Sequence, residues 1–155
     1  MKLTEIQDMW AQDAKVDRTE LGEESLRIPQ LHSKYYNLFS NERMALRQLE
    51  SSYKELYRLK FEYYNGTISE EDLRGNGWEP FMLRVLKSDI NVYIQSDTDL
   101  GKLQSKIDLQ QEKVEFLESI IKNLPARGYQ IKAALDWEKF RNGVWYTLRR
   151  LTMSL

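Results

Sequence analysis

LHSKYYNLFSNERMALRQLESSYKELYRLKFEY, residues 31–63, decides the fold. Leu31, Tyr35, Leu38, Glu42, Ala45, Leu49, Ser52, Leu56, Leu59 and Tyr63 recur at spacings of four and three. That period is helical, and it holds for about five heptads with polar interruptions at Glu42 and Ser52. At about 1.5 Å per residue the helix spans roughly 50 Å, too long to bury its apolar face without a second long helix.

The second helix lies beyond Asp97-Thr98-Asp99, which offers an N-cap and negative charge at the positive helix end. Leu100, Leu103, Ile107, Gln110, Val114, Leu117, Ile121 and Leu124 repeat the same spacing. Pro125 is expected to break it, with a last helix from about Arg127 to Phe140 that stops near Asn142-Gly143. Toward the N-terminus, Thr4 and Gln7 suggest a capping box for a first helix, Thr4 to Ala14, with Leu3, Ile6, Trp10 and Ala14 on one face. A short piece follows around Asp17 to Leu26, and Pro29 either ends it or opens the long helix. Between the long helices, Asn65 to Gly77 is a loop with one turn capped by Ser69 and Asp72. Pro80 is expected to start a short helix through Lys87 that packs Phe81, Val85 and Leu86; the alternative is an extended segment at Asn91 to Gln95. The expected fold is all-α: two long, heptad-patterned, antiparallel helices plus short helices. Residues 1–143 form one helical domain in this reading. Residues 144–155 form an apolar extension, with Val144, Leu148, Leu151 and Leu155 at helical spacing, expected to dock on the core or on another subunit.

The chain has 155 residues, 41% hydrophobic and 30% charged, with three prolines and seven glycines. Such a composition specifies a folded, helix-rich chain of one-domain size. Cysteine is absent, which excludes disulfides, thiolate metal sites and thiol nucleophiles. The sequence contains no apolar run of membrane-spanning length and no secretory signal, so a cytoplasmic location without membrane partners is expected. Catalysis has little to work with. His32 is the single histidine. Asp97 and Asp99, like Glu70-Glu71-Asp72, sit where helix starts favour carboxylates. Gly75-Asn76-Gly77 lacks the lysine and following helix of a phosphate loop. The expectation is a protein without enzymatic activity, metal or cofactor.

Binding chemistry is better supplied. In YKELYRLKFEYYNG, residues 53–66, tyrosines and bases interleave before Asn65-Gly66 breaks the helix. Tyr53, Tyr57, Lys60 and Tyr64 fall on one shoulder, and Arg43, Arg47, Lys54 and Arg58 within a sector of about 60°, diluted by Glu50. Rings for unstacked bases and cations for phosphates suit a single-stranded nucleic acid. Equally, tyrosines beside an apolar stripe form a core edge that a lysine stem covers. Arg58 and Lys60 are about 200° apart on a regular helix, so one partner cannot meet both there. The net charge is -1 and the isoelectric point about 6.0, so affinity for nucleic acid must come from a local patch, from repetition of that patch in an oligomer, or from both.

RLKFEYYNG, with Arg58, Lys60, Tyr63, Tyr64 and Gly66, resembles the central motif of the UvsY family of T-even-type phage recombination mediators. The likeness continues through Val85-Leu86 with Asp89, Asp97-Thr98 with Leu100, and Arg127-Gly128-Tyr129-Gln130-Ile131-Lys132. Order and spacing hold from about Arg43 to Gly143; the N-terminal part agrees in character, and the segment after Gly143 extends beyond the pattern. The resemblance implies a closed, ring-like homo-oligomer that binds single-stranded DNA coated by the phage single-strand binding protein. It implies that the protein loosens that coat and helps a UvsX-type recombinase assemble its filament. Arg58 and Lys60 match the family's basic pair with Arg and Lys exchanged, which phosphate neutralisation tolerates. The candidate DNA-binding residues are Arg58, Lys60, Tyr57, Lys54, Tyr64, Arg127 and Lys132. A helical scaffold or adaptor without nucleic-acid binding is the alternative; there the tyrosine-basic shoulder would be packed and its charges paired.

Overall fold

The structure, a computed structural model, describes residues 1–143, 149, 150 and 153. The expected docking of the segment 144–155 lies outside the described residues. Five helices follow in order: α1 (Leu3–Asp13), α2 (Leu21–Asn65), α3 (Glu70–Gly75), α4 (Ile90–Gln95) and α5 (Thr98–Arg141). No strand occurs among the described residues. Packing divides the chain into two compact units, Met1–Ser40 with the described residues from Lys113 onward, and Asn41–Glu112. The long helices α2 and α5 contribute a segment to each.

In the first unit, Ile6 of α1, Leu31 and Tyr35 of α2, and Leu117, Ile120 and Leu124 of α5 form the core. Trp10 meets the Tyr35 ring edge-on at 5.2 Å. The Tyr35 hydroxyl donates to Asp13 at 2.8 Å, and Lys34 and Arg27 pair with the same carboxylate. Burial alone would raise the Asp13 pKa; the hydrogen bonds from Lys34 and Tyr35 and the charges of Lys34 and Arg27 hold it below its ordinary value. The Thr4/Gln7 box is not what starts α1: the helix begins at Leu3, and Glu5 accepts the Lys2 backbone N–H at 2.7 Å.

Neither proline breaks its helix. Pro29 lies inside α2 and Pro125 inside α5. Each removes one backbone hydrogen bond, and both rings face solvent. The buried neighbours on either side, Leu21 and Leu31 around Pro29, Leu124 and Ile131 around Pro125, hold the helix through.

In the second unit the α2 and α5 segments are antiparallel. Buried Gln110 donates to the Glu42 carbonyl at 2.8 Å and to its carboxylate at 2.6 Å, while Lys60 reaches Asp97 and Asp99. Ile90 and Ile94 of α4 pack with Leu100 against Tyr53, Leu56, Tyr64 and Val85. Gly66, with φ of 77°, takes the left-handed position that ends α2, where Thr67 and Ile68 donate to the Glu62 carbonyl. As expected, Ser69 accepts from the Asp72 backbone N–H to cap α3. The expected helix from Pro80 to Lys87 is absent: this stretch is irregular, and residues Ile90–Gln95 are helical where a strand was the alternative. Phe81 is held by ring contacts to Tyr63, Tyr64 and Tyr93, and Tyr63 donates to the Glu79 carbonyl at 2.7 Å, tertiary contacts that override a weak local preference. Leu86, expected in the core, is 72% exposed.

Leu117→Ala is expected to cost about 2–5 kcal/mol, because Leu117 is fully enclosed. Leu109→Ala, on an exposed position of the same helix, should change stability by under about 0.5 kcal/mol. Urea unfolding of the two variants checks both, and equal losses would contradict the core assignment.

Candidate single-stranded nucleic-acid interface

Burial along α2 follows the straight-helix period. Leu31, Tyr35, Leu46 and Lys60 are its buried residues after Leu21, with Tyr53 and Leu56 packed inward. A helix of 3.6 residues per turn drifts by about 20° per heptad against a strict seven-residue repeat. By the end of α2 the inward face has moved by one residue. Ser52 is therefore exposed and Tyr53 takes its place, and Lys60 turns inward. The expectation of Lys60 as a DNA-binding residue is corrected by this inward turn.

The Lys60 ammonium lies 3.0 Å from Asp97 and 2.9 Å from Asp99, and 4.1 Å from the centre of the Trp78 ring. Asp97 also accepts the Leu100 backbone N–H at 2.9 Å, capping α5, and the Tyr64 hydroxyl at 2.6 Å. Burial by itself would lower the Lys60 pKa, but the hydrogen bonds and charges of the two aspartates raise it. Burial would raise that of Asp97, but Tyr64, the Leu100 N–H and Lys60 hold it down. Burial and Asp97 together push the Tyr64 phenol up. Lys60 and Tyr64 are thus committed to the interior.

Arg127 is likewise buried. Its guanidinium donates to the Ala14 and Lys15 carbonyls at 3.2 and 3.0 Å and pairs with Glu24 at 3.2 Å. It caps the carboxyl end of α1, where a cation is favoured. The expected helix start near Arg127 is corrected: α5 runs through Pro125, and Arg127 is mid-helix.

The remaining candidates face outward. Arg58 is 62% exposed and pairs with Glu62, one turn on, at 2.8 Å. Such a surface pair is worth under about 1 kcal/mol, and a phosphate readily displaces it. Lys54 and Lys132 are exposed, with no ion pair among the described residues. Tyr57 is 39% exposed and leans on Tyr53 at 6.3 Å. Phe61, absent from the sequence-based candidates, is 42% exposed one turn beyond Tyr57. Arg47, Lys54 and Phe61 recur every seven residues, about 20° apart per step, so they share one face beside Tyr57 and Arg58. The signal for Phe61 is its place at i+4 from Tyr57. The result is an open strip of rings and cations on the 41–112 unit.

Residues 9–144 match the UvsY family of recombination, repair and ssDNA-binding proteins. The chain belongs to the UvsY family. Among its UvsY relatives, the recombination protein UvsY of Enterobacteria phage T4 is 26% identical over 143 residues, covering 92% of this chain and 99% of the relative. Two crystal forms of the bacteriophage T4 recombination mediator protein UvsY share the fold. One has a TM-score of 0.79 over 92% of this chain and 99% of the other; the second has 0.78 over 90% and 99%, each at 24% identity. Among the described residues no helix is long and apolar enough to cross a membrane.

Lys60→Ala leaves Asp97 buried without its cation and is expected to cost about 3 kcal/mol. Lys60→Met should cost less with Asp97→Asn beside it than alone. The pH dependence follows from the signs. The depressed Asp97 contributes stability above its unfolded value, near 3.8, and loses it as pH falls further. The raised Lys60 contributes below its unfolded value, near 10.5, and loses it as pH rises through the folded one. Thermal melts from pH 2 to 12 should show both limbs, and Asp97→Asn should flatten the acid one. An unchanged acid limb in that variant would refute the assignment.

Proposed function

We propose that this UvsY-family protein is a recombination mediator. It holds single-stranded DNA on the strip formed by Lys54, Tyr57, Arg58 and Phe61, helps displace single-strand binding protein and promotes loading of a UvsX-type phage recombinase in the host cytoplasm. The observation that carries this reading is the open aromatic and cationic strip in a chain of this family: Tyr57 and Phe61 offer stacking faces, and Lys54 and Arg58 stand beside them. Lys60 and Tyr64 serve as positioning residues in this proposal, fixing the end of α2 that presents the strip. Arg127 ties α1 to α5 in the other unit. Lys132 adds a separate phosphate contact. Residues 1–143 act as one family domain, and 144–155 as a docking extension.

The protein works as a closed homo-oligomeric ring, its long helices packed by heptad-like contacts. Large apolar side chains left uncovered support self-association: Met82, Leu83, Leu86 and Val92 in one unit, and Trp137 and Phe140, stacked at 5.7 Å, in the other. The scaffold alternative draws on the packed half of the shoulder, where Lys60 and Tyr64 are paired. It leaves the exposed half, Tyr57 with Lys54 and Arg58, without a role.

Fluorescence titration with oligo-dT across salt concentrations tests the reading. The Lys54→Ala/Arg58→Ala variant should bind more weakly and lower the salt slope by about 0.7 log units for each phosphate no longer held. Tyr57→Ala should weaken binding with the slope unchanged. Binding equal to the parent at every salt in both variants would return the strip to a scaffold surface. Sedimentation equilibrium at micromolar concentration should show no dominant 18.5 kDa species.

A further inference from the structure

Beside the strip, the 41–112 unit contains an open cavity of about 360 Å³ lined by Tyr53, Tyr57, Asn91, Ile94, Gln95, Leu100, Gly101 and Gln104. The geometry points to a nucleobase pocket, in which one base of a bound single strand leaves the strand's stack and is held between the Tyr57 ring and a rim of carboxamides. The inference rests on the reading that the chain binds single-stranded DNA.

Its chemistry selects the ligand. Ile94 and Leu100, 5% and 3% exposed, make an apolar floor. Tyr57 and Tyr53, their ring centres 6.3 Å apart, make an aromatic wall. Asn91 and Gln95 stand one turn apart on α4, so their amides share a face, and neither side chain is hydrogen-bonded or ion-paired among the described residues. The Gln104 amide N–H donates to Asp108 at 2.8 Å, leaving its carbonyl oxygen as an acceptor. No lining residue carries a formal charge. A neutral, flat, edge-polar group fits such a site; a phosphate or an ionised side chain does not. Carboxamides both donate and accept, so they meet the edge of any base and impose little sequence preference. The volume lies at the small end of the range for ligand sites, about 300–1,000 Å³. Phosphates have their own partners outside the cavity. Lys54 lies about 60° from Tyr57 around α2, and Arg58 about 100°, both on the side away from the buried face.

Gly101 lines the cavity in the first turn of α5, and a Cβ there meets nothing within 4 Å. A larger side chain at this position adds volume at the pocket wall, its Cβ entering open space, and it replaces a helix-weakening residue.

The test compares oligo-dT with a tetrahydrofuran phosphodiester chain of equal length, which has the charges without the bases. The parent is expected to bind oligo-dT at least tenfold more tightly. Gly101→Leu should reduce that preference several-fold, leave affinity for the abasic chain unchanged, and keep or raise the melting temperature. Asn91→Ala/Gln95→Ala, on exposed positions, should reduce the preference in the same way. If the parent binds both chains equally, there is no base pocket and single-strand binding through phosphates alone stands. If the preference is undiminished in both variants, the bases stack elsewhere and the pocket is refuted. If the parent binds neither chain, the function proposed above fails and the pocket with it.

Discussion

One carboxylate organises the 41–112 unit. Asp97 accepts from the Leu100 backbone, the Tyr64 hydroxyl and the Lys60 ammonium, so the start of α5 and the end of α2 are fixed to each other through a single side chain. A buried ion pair of this kind is a poor source of net stability, because desolvation consumes most of the Coulombic gain. What it supplies is register. Only one alignment of the two helices puts Lys60 opposite Asp97, and any slip would strand a buried charge. Gln110 against Glu42 repeats the device along the same pair of segments. Two long apolar faces can slide past each other at little cost; two buried polar contacts, about eighteen residues apart on α2, cannot.

That constraint sorts the tyrosine and basic residues by rotation about α2. Residues in phase with Lys60 face Asp97, Trp78 and the ring cluster of Tyr63, Tyr64 and Phe81. Residues a quarter-turn or more away, Lys54, Arg58 and Phe61, face solvent. Tyr57 stands at the boundary, one face toward Tyr53 and one open. The packed half fixes the rotation of the helix, and the open half inherits a defined spacing of rings and cations. The packed scaffold and the proposed binding strip are thus two faces of one segment.

The large elements are legible in the sequence because their signal is long. The helical character of residues 31–63 and 100–124, the Asn65-Gly66 stop, the Asp97 cap and the Ser69 cap all stand where the residues put them. Boundaries set by single residues are not legible. Pro29 and Pro125 lie within helices because tens of neighbouring packed residues outweigh one missing hydrogen bond. The stretch 80–87 takes its conformation from ring contacts made far away in sequence. Extrapolating a seven-residue repeat along a helix that turns every 3.6 misplaces Lys60, an error of one residue that decides between surface and core. The misreading of Arg127 follows from that of Pro125. Phe61 is legible in principle, but an aromatic among apolar residues reads first as core.

An acidic chain that handles DNA has to concentrate its cations, and the placement of its charges shows how. Of the basic residues singled out, Lys60 and Arg127 are paired with internal carboxylates and add nothing to the outer field. Arg47, Lys54 and Arg58 remain on one face, opposed locally by Glu50 and Glu62. A patch with so few unopposed charges releases few counterions, so a single copy should hold a strand weakly and with a shallow salt slope. Stacking fills part of the gap, because it is insensitive to salt and to base identity. Repetition around the proposed ring fills the rest: once one copy has engaged, the next binds at the effective concentration set by its neighbour. Weak, repeated, partly non-ionic contacts let a strand be released stepwise, as the proposed hand-over to a recombinase requires. A single strongly basic groove would bind as well and let go badly.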